Sequence, residues 1–115
     1  MLEGLKPIAW VGGSLDEVRE FPAPVKREVG RELMRVQSGL MPTDAKPMPT
    51  VGAGVHEVRV RTGREHRVFF VAKFSEAVYV LHAFEKKSQR TARADLDLGR
   101  ARYLDLLTHR RKQGR

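Results

Sequence analysis

From Val55 to Phe84 the chain alternates between two classes of side chain with a period of two, interrupted twice by short turn sequences, and few folds accommodate that pattern. His56, Val58 and Val60 fall on one side of an extended segment and Glu57, Arg59 and Arg61 on the other, so one face is apolar and one charged. Thr62-Gly63-Arg64 supplies a turn. Glu65 to Phe74 then returns, with Arg67, Phe69, Val71 and Lys73 alternating against Val68, Phe70, Ala72 and Phe74. Ser75-Glu76 turns into a third run, in which Val78, Tyr79, Val80, Leu81 and Phe84 are the β-branched, aromatic and aliphatic types that suit a buried strand. Three strands joined by tight loops predict an antiparallel meander.

The flanking segments predict what covers this sheet. Lys6 to Val11 is short and apolar-rich and ends at Gly12-Gly13, a candidate N-terminal strand. Ser14-Leu15-Asp16-Glu17 has the S-x-x-E pattern of a capping box, which predicts a short helix to Phe21. Pro22 and Pro24 interrupt it. Val25, Val29, Leu33, Val36 and Leu40 follow at spacings of four, four, three and four, one face of a second helix, while Lys26, Arg27, Arg31 and Arg35 form the other face, an ordinary solvated one or else a nucleic-acid contact. Residues 41–54, with Pro42, Pro47, Pro49, Gly52 and Gly54, predict an extended loop, functional or a strap across the surface. A last helix begins near Thr91, with Ala94, Leu98, Ala101 and Leu104 as its apolar face, and 109–115 reads as a frayed basic tail. The expected fold is α+β: N-terminal helices packed on a small antiparallel sheet with a short extra N-terminal strand, then a C-terminal helix, in one domain over 1–115.

Charge is distributed unevenly along the chain. Residues 1–85 hold twelve Lys and Arg against eleven Asp and Glu, whereas 86–115 hold ten against three. The first strongly basic stretch, Lys86, Lys87 and Arg90, lies directly after the third strand, which fixes a cationic cluster at the end of a rigid element. A polyanion, RNA in particular, is the partner such an arrangement suits, because clustered cations gain affinity by releasing counterions from phosphates. With no cysteine, disulfides and zinc–thiolate sites are excluded. No leader or membrane-spanning pattern is evident, and the expectation is a soluble, cytoplasmic protein without cofactor. His56, His66, His82 and His109 lack ligand spacing and an accompanying carboxylate cluster, so no metal site is expected.

G-V-H-E-V-R at 54–59, H-R-V-F-F at 66–70 and V-L-H-A-F-E-K-K-S-Q at 80–89 resemble, in order and spacing, the RelE/HigB family of toxin–antitoxin toxins, specifically its phage-derived branch. The resemblance covers roughly residues 6 to 108, and its H-A-F-x-K-K element is the most specific part. It implies a RelE-like α+β toxin that cuts messenger RNA in the ribosomal A site. Its partners would be mRNA, the ribosome and a cognate helix-turn-helix antitoxin, which would hold it inactive in a hetero-oligomeric complex. The chain departs from the family at Phe70, where relatives often carry tyrosine, and at His56 and His66, which replace residues that are frequently aromatic.

Metal-free RNA cleavage requires a 2′-hydroxyl to lose its proton, a pentacovalent phosphate to be stabilised and the leaving 5′-oxygen to be protonated. Arg59 and Arg67, on adjacent predicted strands, suit bidentate contact with phosphate oxygens, and Lys86 and Lys87 join them at the strand end. His82 is a candidate acid or base, or else a hydrogen-bonded core residue. Phe84 could stack on a base or pack in the core, and Arg90, Lys73 and Arg93 complete the candidate RNA contacts. Alternation places His82, Phe84 and Lys86 on one face and residues 81, 83 and 85 on the other, and Arg59 could instead be a structural partner of Glu57 or Glu85. Two other readings stand beside the nuclease: a ParE-like inhibitor that binds DNA gyrase without catalysis, and a non-catalytic phage-type nucleic-acid-binding protein.

Overall fold

A computed structural model describes residues 4–115. The elements, in chain order, are β1 (Ile8–Trp10), α1 (Ser14–Arg19), α2 (Ala23–Gln37), β2 (Ala45–Pro47), β3 (Val55–Val60), β4 (His66–Val71), β5 (Val78–Glu85) and α3 (Arg93–Lys112). They form the expected α+β arrangement around a five-stranded sheet of order β1-β5-β4-β3-β2. The pairs β5-β4, β4-β3 and β3-β2 are antiparallel, while β1 lies parallel to β5 with Ile8 opposite Val78. The crossover through α1 and α2 separates β1 from the meander, as a parallel pairing requires.

Both faces of the sheet are covered. On one, Val18 of α1 and Val25, Val29, Leu33 and Val36 of α2 pack on Val58, Val60, Val68, Phe70, Val78 and Val80. Burying each aliphatic side chain contributes roughly 1.5 to 3 kcal/mol before ordering entropy is subtracted. On the other, Tyr103 and Leu106 of α3, with Met48 and Val51 from the β2–β3 connection, cover Val55, Phe69, Val71, Tyr79, Leu81 and Phe84. The period-two segregation of β3 and β4 expresses this division.

Several local expectations are corrected. Ser14 is itself the first residue of α1 and makes no cap; its hydroxyl donates to the Val80 carbonyl at 3.0 Å, and the Glu17 carboxylate is engaged elsewhere. Leu40 is exposed because α2 has already ended. Gly39 takes φ +89°, Gly39 N–H donates to Val36 O at 3.0 Å and Leu40 N–H to Arg35 O at 2.9 Å, a Schellman termination that only a residue tolerant of positive φ closes cheaply. The 41–54 loop contains β2, a three-residue edge strand paired with Val58, Glu57 and His56. In β5, Phe69 opposes His82 but Phe70 opposes Val80, so Leu81 is a bulge residue. The bulge turns Leu81 onto the α3 face beside Phe84 and leaves Ala83 on the α2 face, which breaks the simple alternation of 81 with 83.

The largest correction concerns α3. Ala94, Leu98, Ala101 and Leu104 all face solvent, Leu104 with 57% of its surface exposed, and the buried residues are Gly99, Tyr103 and Leu106. A Cβ on Gly99 would lie 2.7 Å from the Phe69 ring and 3.2 Å from Val51, so the absent side chain is what lets the helix settle onto the sheet. The helix also runs to Lys112, and most of the expected frayed tail is therefore ordered helix. Arg110 and Arg115 tie its end to Glu76 in the β4–β5 turn.

Candidate functional site

A groove of about 1010 Å³ opens on the α3 side of the sheet, between the ends of β3 and β4 and the β5–α3 connection. Arg59 and Arg67 form its floor because they are directly opposed in the β3–β4 register and project to the same face. Like charges directly opposed across strands repel, and the neighbouring residue on that face, Glu57, relieves the conflict. Its Oε1 accepts a hydrogen bond from Arg67 Nη1 and lies 3.6 Å from Arg59 Nε. Glu57 is 1% exposed and Arg67 5%, so this is a buried charge cluster, tolerable only because opposite charges share it.

The walls add further charges. Arg67 Nη2 donates to Glu65, whose carboxylate also lies 3.6 Å from Arg61 Nε and 3.7 Å from Lys86 Nζ. Asp44, just before β2, reaches Arg59 and Arg61 at 3.8 Å each. Lys86 is anchored through its backbone N–H, which donates to Glu65 O at 2.8 Å, while Lys87 and Arg90 stand exposed at the rim. Seven cationic side chains and two carboxylates line the groove. The hydrogen bond from Arg67 holds the Glu65 carboxyl below the usual carboxylate range. Among the described residues, three buried side-chain polar atoms lack a hydrogen-bond partner, and all lie on the groove floor: Glu57 Oε2, Arg59 Nε and Arg67 Nε. Buried polar groups are ordinarily satisfied, so three such atoms at one place single out the groove floor as the candidate site.

The structure therefore brings together Arg59, Arg67, Lys86, Lys87 and Arg90 but separates the other candidates from them. His82 is buried beneath α3, with Nδ1 2.9 Å from Glu17 Oε1 and Nε2 2.7 Å from Asp95 Oδ1, and its ring stacks on Phe84 at 5.0 Å between centroids. It joins α1, β5 and α3 and does not line the groove. Burial alone would raise the Glu17 carboxyl. Hydrogen bonds from Arg102, His82 and the Ala83 N–H outweigh that and hold it below its ordinary value. Phe84 is buried in the core, edge-on to Phe69 with His82 stacked on it, and does not line the groove. Lys73 sits outside the groove with Nζ 3.4 Å from the Tyr103 hydroxyl and 5.1 Å from the centre of the Phe74 ring. Arg93 lies on the exposed side of α3, paired with Asp97 at 3.2 Å.

Sequence reasoning missed Lys46, Arg61 and Glu65, which also line the groove. It weighed Glu57 and Glu85 as partners of Arg59; Glu57 is the one, and Glu85 pairs with Arg64 at 3.2 Å. Phe70 stacks on His56 in the α2 core, so a ring hydroxyl there would point away from the groove. Among the described residues no cluster of three His, Cys, Asp or Glu side chains is placed to hold a metal, and no helix is long and apolar enough to cross a membrane.

Residues 16–104 match a family model described as "Phage derived protein Gp49-like". No curated protein and no solved structure matches the chain.

Proposed function

The chain belongs to the Gp49-like phage-derived family, which is RelE-like and associated with toxin–antitoxin systems, and from that premise we propose that it is a toxin that cuts messenger RNA at the ribosome without a metal ion and is neutralised by a helix-turn-helix antitoxin. The observation that carries the reading is the opposed pair Arg59 and Arg67, sunk in a groove with Lys86 on its wall and with unpaired guanidinium N–H groups on its floor. Fixed, partly desolvated guanidinium groups stabilise the charge that builds on a phosphorane far better than mobile surface lysines do.

In the proposed step the ribose 2′-oxygen attacks the adjacent phosphorus, the bond from phosphorus to the 5′-oxygen breaks, and a 2′,3′-cyclic phosphate and a 5′-hydroxyl result. Arg59 and Arg67 bind the non-bridging oxygens. Glu57, the carboxylate beneath the two arginines with one oxygen unpartnered, takes the 2′-hydroxyl proton once substrate opens the floor, and the Lys86 ammonium gives one to the leaving oxygen. His82 and Phe84 act from beneath, as packing and positioning groups. Lys87 and Arg90 at the rim hold flanking phosphates, and the antitoxin presents acidic residues to the same rim.

Primer extension on messenger RNA after brief induction tests the reading, comparing wild type with Lys86→Ala and Arg67→Lys. Discrete in-frame cuts in wild type that disappear in both variants, with circular dichroism unchanged, are the expected result. Intact RNA alongside growth arrest and DNA damage would assign the protein to gyrase inhibition instead.

A further inference from the structure

We propose that Glu65 is an internal counter-anion, occupying a phosphate position in the groove and yielding it when an RNA phosphate binds; the proposal rests on the groove being an RNA site. Three cations from three parts of the chain converge on this one carboxylate: Arg67 of β4 donates to it, Arg61 just beyond β3 lies 3.6 Å away and Lys86 just beyond β5 lies 3.7 Å away. A phosphate oxygen calls for the same surroundings.

The two acidic partners of Arg67 differ in their freedom. Glu57 is enclosed within the sheet, whereas Glu65 retains 31% of its side-chain surface and sits in the β3–β4 connection, two residues after Gly63 at φ +71°. Glu65 can rotate into water at little cost, and Glu57 cannot. Glu65 also satisfies Arg67 incompletely. The guanidinium edge formed by Nε and Nη2 can fork onto two oxygens, yet Glu65 takes only Nη2 and Nε has no partner. A tetrahedral phosphate can bond both N–H groups of that edge and still reach Arg61 and Lys86, so exchange gains a hydrogen bond that the carboxylate does not make. Glu65 thus occupies the point where three of the groove's seven cations converge while no phosphate is bound, and sets a threshold that weak anions do not cross.

The test measures two probes on wild type, Glu65→Gln and Glu85→Gln. Glu85 pairs with Arg64 outside the groove, so its variant removes the same charge without touching Arg67. Binding of a fluorescent 2′-O-methylated hexanucleotide, which cannot be cleaved, is read by anisotropy, and binding of inorganic phosphate by phosphorus line broadening. Glu65→Gln should bind both probes about fivefold more tightly than wild type, against less than about twofold for Glu85→Gln. Hexanucleotide binding that is equal in the two variants overturns the role of Glu65 and leaves the RNA reading standing. Tighter phosphate binding in Glu65→Gln with no hexanucleotide binding by any protein keeps the phosphate position and overturns the RNA reading. Failure of both probes overturns both.

Discussion

Replacing Glu76 with glutamine removes the charge that fastens the end of α3 to the sheet. Arg110 donates to Glu76 through Nε at 2.6 Å and Nη2 at 3.3 Å, Arg115 lies 3.1 Å away, and the Tyr79 hydroxyl donates at 2.8 Å. The Arg110 guanidinium also rests 3.6 Å from the centre of the Phe74 ring. Its hydrogen bond with Arg110, foremost, lowers the Glu76 carboxyl from 4.5 to about 2. At roughly 1.4 kcal/mol per unit that depression amounts to about 3 kcal/mol, which solvent screening at a surface cluster reduces to about 2 kcal/mol. Because the folded value lies below the unfolded one, the stabilisation is complete above pH 4.5 and is lost as pH falls through 4.5 towards about 2. Urea unfolding of wild type and Glu76→Gln, followed by circular dichroism from pH 7 to pH 2.5, should therefore show a difference of about 2 kcal/mol near neutrality, equivalent to roughly 8 °C in Tm. The difference should shrink towards zero at the acid end. A pH-independent difference, or one below about 0.5 kcal/mol at pH 7, would refute the reasoning.

Gly99→Ala should destabilise by about 2 kcal/mol, although alanine is the better helix former, because its Cβ would meet Phe69 at 2.7 Å; thermal melts check this. Phe84→Leu should cost about 1 kcal/mol of stability and leave the affinity of the folded protein for RNA unchanged, and lost RNA binding at unchanged Tm would return Phe84 to a stacking role. His82→Ala should leave Glu17 and Asp95 without their shared partner and cost about 2 kcal/mol. Hydrogen exchange should then rise selectively in the first turns of α3, and uniform exchange across the chain would show that His82 does not act as a pin.

Local periodicity made β3, β4, β5 and the buried face of α2 legible, since in each the partner surface is apolar and the sequence need only match it. The face of α3 was illegible for the opposite reason. Its hydrophobic stripe through Leu98 and Leu104 is real in the sequence, but what binds the helix is a close approach at Gly99 and the rings of Tyr103 and Phe69, and hydrophobic spacing does not register a missing side chain. β2 escaped notice because three residues containing a proline carry no pattern, and they pair only because the backbone of β3 is available. His82 was visible as a titratable group, but its partners Glu17 and Asp95 lie 65 and 13 residues away, beyond any spacing rule.

Charge is the subtler case. The excess after residue 85 pointed towards a polyanion site, yet much of it is spent on fastening α3, Arg110 and Arg115 on Glu76, Arg102 on Glu17 and Arg100 on the Thr50 carbonyl, while Arg93 pairs with Asp97 inside the helix. Of that segment's cations, only Lys86, Lys87 and Arg90 line the groove. The cations of its floor, Arg59 and Arg67, come from the part of the chain whose charges nearly cancel. The cancellation follows from their position, because an arginine can be sunk into a sheet only if a carboxylate goes with it, and Glu57 and Glu65 are those carboxylates. Segment charge therefore locates cations that solvent can neutralise, while a balanced segment with alternating acids and arginines on one strand face is where guanidinium groups rigid enough for transition-state work are found.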